Sequence, residues 1–294
     1  MRVSDCRVYL LHPTKPAGDD TDIYVSTKNV CLVRVETEDG LHGWGECYTQ
    51  ADRDTQIVAH VEQLKRYLIG TDATRIRAFT SSAFNDFAAR RGSMDFFCAL
   101  SGIEIALWDL AGKRASVPVY QLLGGAIRDK IRVYANGWSR STSHAELADR
   151  ARAIVERGFT ALKFDPVPGP WRTFISREQE EEAAERVRIV RNAIGPDTEL
   201  LIEIHRRLAP MHAIRLAGMI EQYRPYWFEE PVLAENIKAL AAAKDKIQIP
   251  VVTGEELYTK FEFREVFERN AADIINPDLA CPQPSNEGWF ASGP

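Results

Sequence analysis

The sequence predicts an α/β protein in two parts: a small α+β domain, then the parallel strands and covering helices of a barrel-type domain. Two patterns predict it. Up to residue 46, short segments alternate apolar and polar residues around a hairpin turn, and three helical stretches follow. From residue 130 onward, short apolar runs alternate with amphipathic helices, which implies parallel strands with helical crossovers. Composition agrees with a packed chain, since 45% of the 294 residues are hydrophobic and 27% are charged.

In the first part, period-two patterning marks strands at 3–11 and 29–36. Thr37-Glu38-Asp39-Gly40 is a hairpin turn, because Asp-Gly supplies the positive φ such a turn needs, and a third strand follows at 41–46. Helical periodicity covers 51–68, 72–91 and 94–115, the last with Phe97, Leu100, Ile105, Trp108 and Ala111 near one face. In the second part the expected strands are 131–136, Ala161–Phe164, 200–204, 226–228, 249–253 and 273–276. Helices are expected between them near 144–157, 176–193, 210–223, 235–245 and 260–269. Ser143 with Glu146, and Ser176 with Gln179, have capping-box spacing, while Gly158 and Gly195 stand where helices should stop. Of the thirteen residues 282–294, seven are Pro, Gly or Ser, and they read as an irregular tail.

Several function classes are disfavoured. A net charge of −5 argues against a nucleic-acid partner, and no apolar run is long enough to span a membrane. The start, Met1-Arg2-Val3-Ser4-Asp5, has no apolar signal core behind its arginine. Five widely spaced cysteines without a CxxC pair fit reduced thiols in a cytoplasmic protein.

In a parallel barrel the C-terminal ends of the strands point into one shared mouth. Those ends read Lys163-Phe164-Asp165, Glu203-Ile204-His205, Glu229-Glu230-Pro231, Gly254-Glu255-Glu256 and Asn276-Pro277-Asp278. Carboxylates from three consecutive strands would converge there and repel, and a divalent cation relieves that repulsion. Oxygen donors with no cysteine nearby favour Mg²⁺ over zinc.

These motifs carry a resemblance. Gly43-Trp44-Gly45-Glu46, Ala106 through Lys113, Pro118 through Gly125, Leu162 through Asp165, Glu203 through Arg207, Trp227 through Pro231 and Gly254-Glu255-Glu256 follow in order. Together they resemble the mandelate racemase/muconate lactonizing enzyme group of the enolase superfamily, over residues 1 to about 281. The resemblance implies an α+β capping domain over residues 1–125 and a (β/α) TIM-type barrel over 126–281, cut after about six strands. It implies Mg²⁺ held by Glu203, Glu229 and Glu255, and removal of a proton α to a carboxylate. The pairing of a Lys or His base with Mg²⁺ in this superfamily is a worked case in general enzymology.

Racemases and cycloisomerases of the group carry Lys-x-Lys on the second barrel strand. Here the second position is Asp165. Glu203-x-His205 instead resembles the sugar-acid dehydratases of galactonate or gluconate type, in which this His donates the proton that lets the 3-hydroxyl leave as water. By that resemblance His205, Lys163 and Asp278 are catalytic, and Arg206 (with Arg207 beside it) and Asp165 hold substrate. The substrate is a small sugar acid, and the resemblance leaves room for a homo-oligomer. Asp278 would orient a His base on a seventh strand, beyond residue 281, and a whole barrel takes roughly 250 residues. This chain alone is therefore expected to be impaired.

Blander readings stand beside these. Glu229-Glu230 before Pro231 also suits a helix N-terminus. Lys163 also suits a structural ion pair, and His212 a surface position. His42, His60 and His144 are expected to be structural, and Trp44, Trp108, Trp138 and Trp227 to pack rather than stack on ligand. The stretches 14–21 and 46–54 could line the site. Alternatives to dehydration are an epimerase or racemase using Lys163, a non-catalytic remnant, and a chain completed by a partner.

Overall fold

The computed structural model describes residues 1–12, 29–49, 53–86, 93–139, 143–167 and 173–280. The stretch 14–21, positions 50–52 of the stretch 46–54, Cys281 and the tail 282–294 lie outside the described residues. The chain forms two compact units: Met1–Lys130 with Tyr258–Lys260 and residues 277–280, and Ile131–Leu257 with Phe261–Asn276.

In the first unit, β1 (Val3–Leu11), β2 (Val30–Thr37) and β3 (His42–Cys47) form an antiparallel sheet in sequence order. The expected turn closes β2 onto β3: Gly40 has φ +82°, and Thr37 N donates to Leu41 O at 2.9 Å. Alternate β2 residues Cys31, Val33, Val35 and Thr37 are buried. Behind the sheet lie α1 (Asp54–Leu68), α2 (Ile76–Asp86) and α3 (Met94–Ala115), followed by the short α4 (Val119–Leu122).

The motif Gly43-Trp44-Gly45-Glu46 is explained by packing. Gly43 and Gly45 face α3 so closely that a Cβ on either would overlap the helix backbone. Trp44 faces the other way, its ring 5.4 Å from Tyr9, while its backbone N–H donates to Asp109 at 2.8 Å. Lys113 then bridges Asp109 (2.7 Å) and the His42 carbonyl (3.0 Å), tying α3 to β3. The buried set on α3 differs from the expected stripe. Ala99, Leu100, Ile103, Ala106, Leu107 and Leu110 are buried, whereas Ile105, Trp108 and Ala111 are half-buried. The cause is that α3 is covered by the sheet on one side and by α1 and α2 on others, so no single face holds its apolar residues. Cys6, Cys31, Cys47 and Cys98 are buried thiols outside any disulfide.

In the second unit five parallel strands lie side by side in chain order: β4 (Ala161–Phe164), β5 (Glu199–Glu203), β6 (Trp227–Glu229), β7 (Val251–Thr253) and β8 (Ile274–Ile275). The helices α5 (His144–Glu156), α6 (Arg177–Ile194), α7 (Pro210–Ile220), α8 (Ile237–Lys244) and α9 (Lys260–Glu268) alternate with them. This is the expected succession of a (β/α) barrel. The expected strand at 131–136 is reduced to a single parallel bridge, Ala135 to Leu162. Ile131 and Val133 remain 78% and 63% exposed, so the apolar alternation there does not face a core, and Ala135 is the residue of the stretch that bonds through its backbone to the neighbouring strand, at Ala161 and Lys163.

Two local features explain how α6 and α7 are fixed. The capping box on α6 is complete: Ser176 Oγ accepts from Gln179 N at 3.2 Å and Gln179 Oε1 accepts from Ser176 N at 2.9 Å. Ser176→Ala should cost about 1 kcal/mol of stability, measured by urea unfolding, because one helix-end donor loses its acceptor. His212, expected at the surface, is buried on α7. Its Nδ1 stands 2.5 Å from Glu180 of α6, and Arg215 binds the other oxygen of that carboxylate. The pairing partner lies 32 positions earlier, which local periodicity does not reveal. Among the described residues, no helix is long and apolar enough to cross a membrane.

Candidate metal centre and active site

Parallel pairing sets equivalent residues of adjacent strands side by side. Glu203 ends β5 and Glu229 ends β6, and the two are register partners. Glu255 follows β7 by two residues, and Lys163 is the penultimate residue of β4. One carboxylate oxygen from each of Glu203, Glu229 and Glu255 lies within 4.8 Å of the others. The three acids expected from the sequence are therefore gathered at one end of the sheet.

The turns after these strands are unusual. His205, Arg206 and Glu230 have φ of +52°, +62° and +47°. Non-glycine residues there cost about 1 kcal/mol or more each and persist where surrounding bonds hold them. Those bonds are visible: Arg206 N donates to Glu230 O at 2.7 Å, and Glu230 N to Val252 O at 2.9 Å. Glu203 Oε1 accepts from the N–H groups of Ile204 (3.1 Å) and His205 (2.8 Å), so the turn itself orients the acid.

Lys163 reaches into the centre. Its buried ammonium donates to Glu203 Oε2 at 3.0 Å and to Glu229 Oε1 at 2.8 Å, and lies 5.2 Å from the Tyr134 ring centroid. Asn276 Nδ2 donates to the same Glu229 oxygen at 3.0 Å, whereas Glu229 Oε2 is buried without a hydrogen-bond partner. Burial, reinforced by repulsion from Glu203, pushes the Glu229 carboxyl up to about 7 against the pull of Lys163. Burial opposes ionisation of Glu203 too, but Lys163 and His205 outweigh it and hold that group below the usual range. Burial likewise disfavours the Lys163 charge, and the two glutamates overcome it, raising the ammonium above its ordinary value.

The neighbouring residues form a second cluster. His205 Nδ1 is 2.6 Å from Asp165 Oδ2, an oxygen that Arg207 also binds. Asp165 Oδ1 accepts from Val167 N at 2.9 Å. Arg207 is itself fixed by Ile204 O at 2.8 Å, and burial pulls its guanidinium below its ordinary value. Arg206 binds Glu255 and, at 3.0 Å, Glu256. Thus Asp165 and Arg206, both expected to hold substrate, are engaged with protein partners. Asp278 belongs to the first unit, where its Oδ1 accepts from Ala280 N at 3.0 Å.

Sequence reasoning passed over Asn276, Tyr134 and the orienting role of Arg207. Asn276 was visible as the polar residue after β8. Glu230, the second acid of its pair, is turned to Thr253 Oγ1 (2.8 Å) and Gly254 N (2.7 Å), with burial pushing it up to about 7. The set of Glu203, Glu229 and Glu255 suits a hard divalent ion: all donors are carboxylate oxygens, none is a thiol, and a buried Glu229 oxygen lacks a partner.

Comparison with known proteins agrees with this arrangement. Residues 11–124 match the family described as Mandelate racemase / muconate lactonizing enzyme, N-terminal domain, and residues 146–281 match Enolase C-terminal domain-like. The chain is 38% identical over 252 residues to a D-gluconate dehydratase of Thermoproteus tenax, covering 85% of this chain and 50% of that one. It is 36% identical over 249 residues to a D-galactonate dehydratase of Verminephrobacter eiseniae, covering 85% and 64%. The chain thus spans half to two thirds of the length of these relatives. Among solved structures, a mandelate racemase/muconate lactonizing enzyme-like protein from Roseovarius sp. TM1035 superposes with a TM-score of 0.86 at 31% identity, covering 96% of this chain and 73% of that one. A mandelate racemase/muconate lactonizing enzyme from Jannaschia sp. CCS1 does so with a TM-score of 0.87 at 29% identity, covering 99% and 76%. Both halves match in chain order and the fold is shared along nearly the whole chain, so the protein belongs to the mandelate racemase/muconate lactonizing enzyme family of the enolase superfamily.

Proposed function

We propose that this protein is a Mg²⁺-dependent sugar-acid dehydratase, acting on an aldonic or aldaric acid to give a 2-keto-3-deoxy acid. The observation that carries the reading is a three-carboxylate centre followed two residues later by a histidine held by a carboxylate. Glu203, Glu229 and Glu255 would hold the ion. When bound, it supplies fixed positive charge for the oxygens of a substrate carboxylate, which makes the adjacent C–H more acidic.

The net change is loss of the C2 proton, to the seventh-strand His base that the resemblance implies, and of the C3 hydroxyl as water, and the resulting enol becomes the ketone. His205 is suited to the hydroxyl. Its Nδ1 faces Asp165 at 2.6 Å, so the proton given to a leaving group comes from Nε2. Arg207 and the Val167 N–H hold Asp165, and Asp165 in turn holds the imidazole ring, which limits its rotation. Lys163 is poorly suited to the role of base that a racemase would give it, because its ammonium is spent on Glu203 and Glu229.

The test is a panel of aldonic and aldaric acids with Mg²⁺, read both as 2-keto-3-deoxy product and as deuterium uptake at C2 from heavy water. His205→Asn should lower product formation by about 10²-fold or more while leaving deuterium uptake in place, since general-acid help is worth about that much. Equal loss of both signals would remove His205 from the acid role. Exchange without any product in the unaltered chain would favour an epimerase or racemase.

A further inference from the structure

We propose that Lys163 is a resident counter-cation of the three-glutamate centre, which stabilises the metal-free fold and holds the affinity for Mg²⁺ down. The inference rests on the reading of Glu203, Glu229 and Glu255 as the metal ligands. It concerns what else occupies their charge.

Three carboxylates gathered within 4.8 Å repel strongly in a buried setting. Two of them, Glu203 and Glu229, are 2% and 1% exposed, so water screens them little. Lys163 is the only cation bonded to both among the described residues, and it is itself 6% exposed. The third, Glu255, is paired instead with Arg206. Among the described residues Lys163 is ion-paired with these two acids, and no other lysine or arginine is ion-paired with either of them. Its stem rises from β4, flanked by the Tyr134 ring and bonded through its backbone to Ala135, so the ammonium is aimed by the strand rather than by a loop.

A divalent ion held by these glutamates would meet that ammonium as a like charge. The two cations share the acids, and each weakens the hold of the other. A lysine here acts as a fixed competitor that is always present, whatever the concentration of metal. Its position differs from that of a proton-transfer group, because its hydrogen-bonding capacity is directed at the ligands.

The experiment is Mg²⁺ titration calorimetry, with thermal unfolding in chelator and in saturating Mg²⁺, on the unaltered chain, Lys163→Met and Lys163→Arg at mildly alkaline pH. Lys163→Met should unfold at lower temperature in chelator, bind Mg²⁺ about tenfold more tightly or better, roughly 1.4 kcal/mol, and recover most of its lost stability once loaded. Lys163→Arg, which keeps the charge, should stay within about threefold of the original affinity. Mg²⁺ binding that is unchanged or weaker in Lys163→Met overturns the inference, as does an equal stability deficit with and without metal. If the unaltered chain itself binds no Mg²⁺, the metal reading fails instead, and the two failures are thereby told apart. Should Lys163→Met not fold, the ammonium NMR signal of Lys163 in the unaltered chain decides. It should shift on Mg²⁺ saturation but not with sodium chloride, and an unmoved signal overturns the inference.

Discussion

Gly45→Ala should unfold the first unit or cost it more than about 3 kcal/mol, a loss at the upper end of what overpacking produces. The added methyl would overlap the Gly102 carbonyl oxygen and stand 2.7 Å from the Ala106 nitrogen. Both belong to the backbone of α3, which has no rotamer to change. Relief would require β3 and α3 to separate, and that would loosen the contacts of Val33, Val35, Leu107 and Leu110, all buried between elements of the same core. Gly218→Ala is the control. It lies in α7 with nothing within 4 Å of its would-be methyl, and the exchange should be neutral or stabilise by up to about 1 kcal/mol through helix propensity. Urea unfolding of both variants checks the pair. A tolerated Gly45→Ala would mean that the sheet and α3 are not in contact as described.

Much of the fold was legible because it depends on neighbours in sequence. The Asp39-Gly40 turn, the alternation of β2 and the capping box on α6 each lie within a few residues. The successive strands and helices of the second unit were legible for the same reason. What failed depended on distant neighbours. The stretch 131–136 has strand-like alternation, yet only Ala135 finds a strand to pair with. His212 looked superficial because its partner Glu180 comes from another helix. The face of α3 was misread because a helix covered on several sides loses its single apolar stripe.

The acids of the site were legible through a rule of parallel sheets: strand ends collect at one edge. Glu203 and Glu229 even share a register pair. The cations were less legible. Arg206 and Arg207 were read as holding substrate, yet each is paired with a carboxylate from a different strand end, whereas the ion pair of Lys163 was one of the readings its position allowed. Long side chains reach several ångströms from their own backbone, so their partners depend on turn geometry that spacing does not encode. The positive φ values at His205 and Arg206 set that geometry here.

Glu229→Gln should abolish the stabilisation that Mg²⁺ gives, while changing the metal-free stability little. The two expectations come from different sides of the same carboxyl. Glu229 is 1% exposed, and burial already raises its proton affinity, so a neutral amide of the same shape removes a buried charge at small cost. Lys163 would keep its bond to Glu203, and the amide oxygen can still accept from Asn276. Metal binding has no such substitute, because a neutral amide replaces one of only three carboxylates. A ligand present at about 100 times its Kd stabilises the native state by about 2.7 kcal/mol, and this increment should vanish in the variant. Glu230→Gln supplies the contrast. Glu230 is equally buried, but its Oε1 is turned to Thr253 and Gly254. That variant should keep its response to Mg²⁺ and lose some metal-free stability, because a neutral amide oxygen accepts from Thr253 and Gly254 more weakly than a carboxylate does. Melting curves of both variants in chelator and in Mg²⁺ separate the roles of adjacent acids. An Mg²⁺ response lost in Glu230→Gln and kept in Glu229→Gln would exchange them, and with them the identity of the centre.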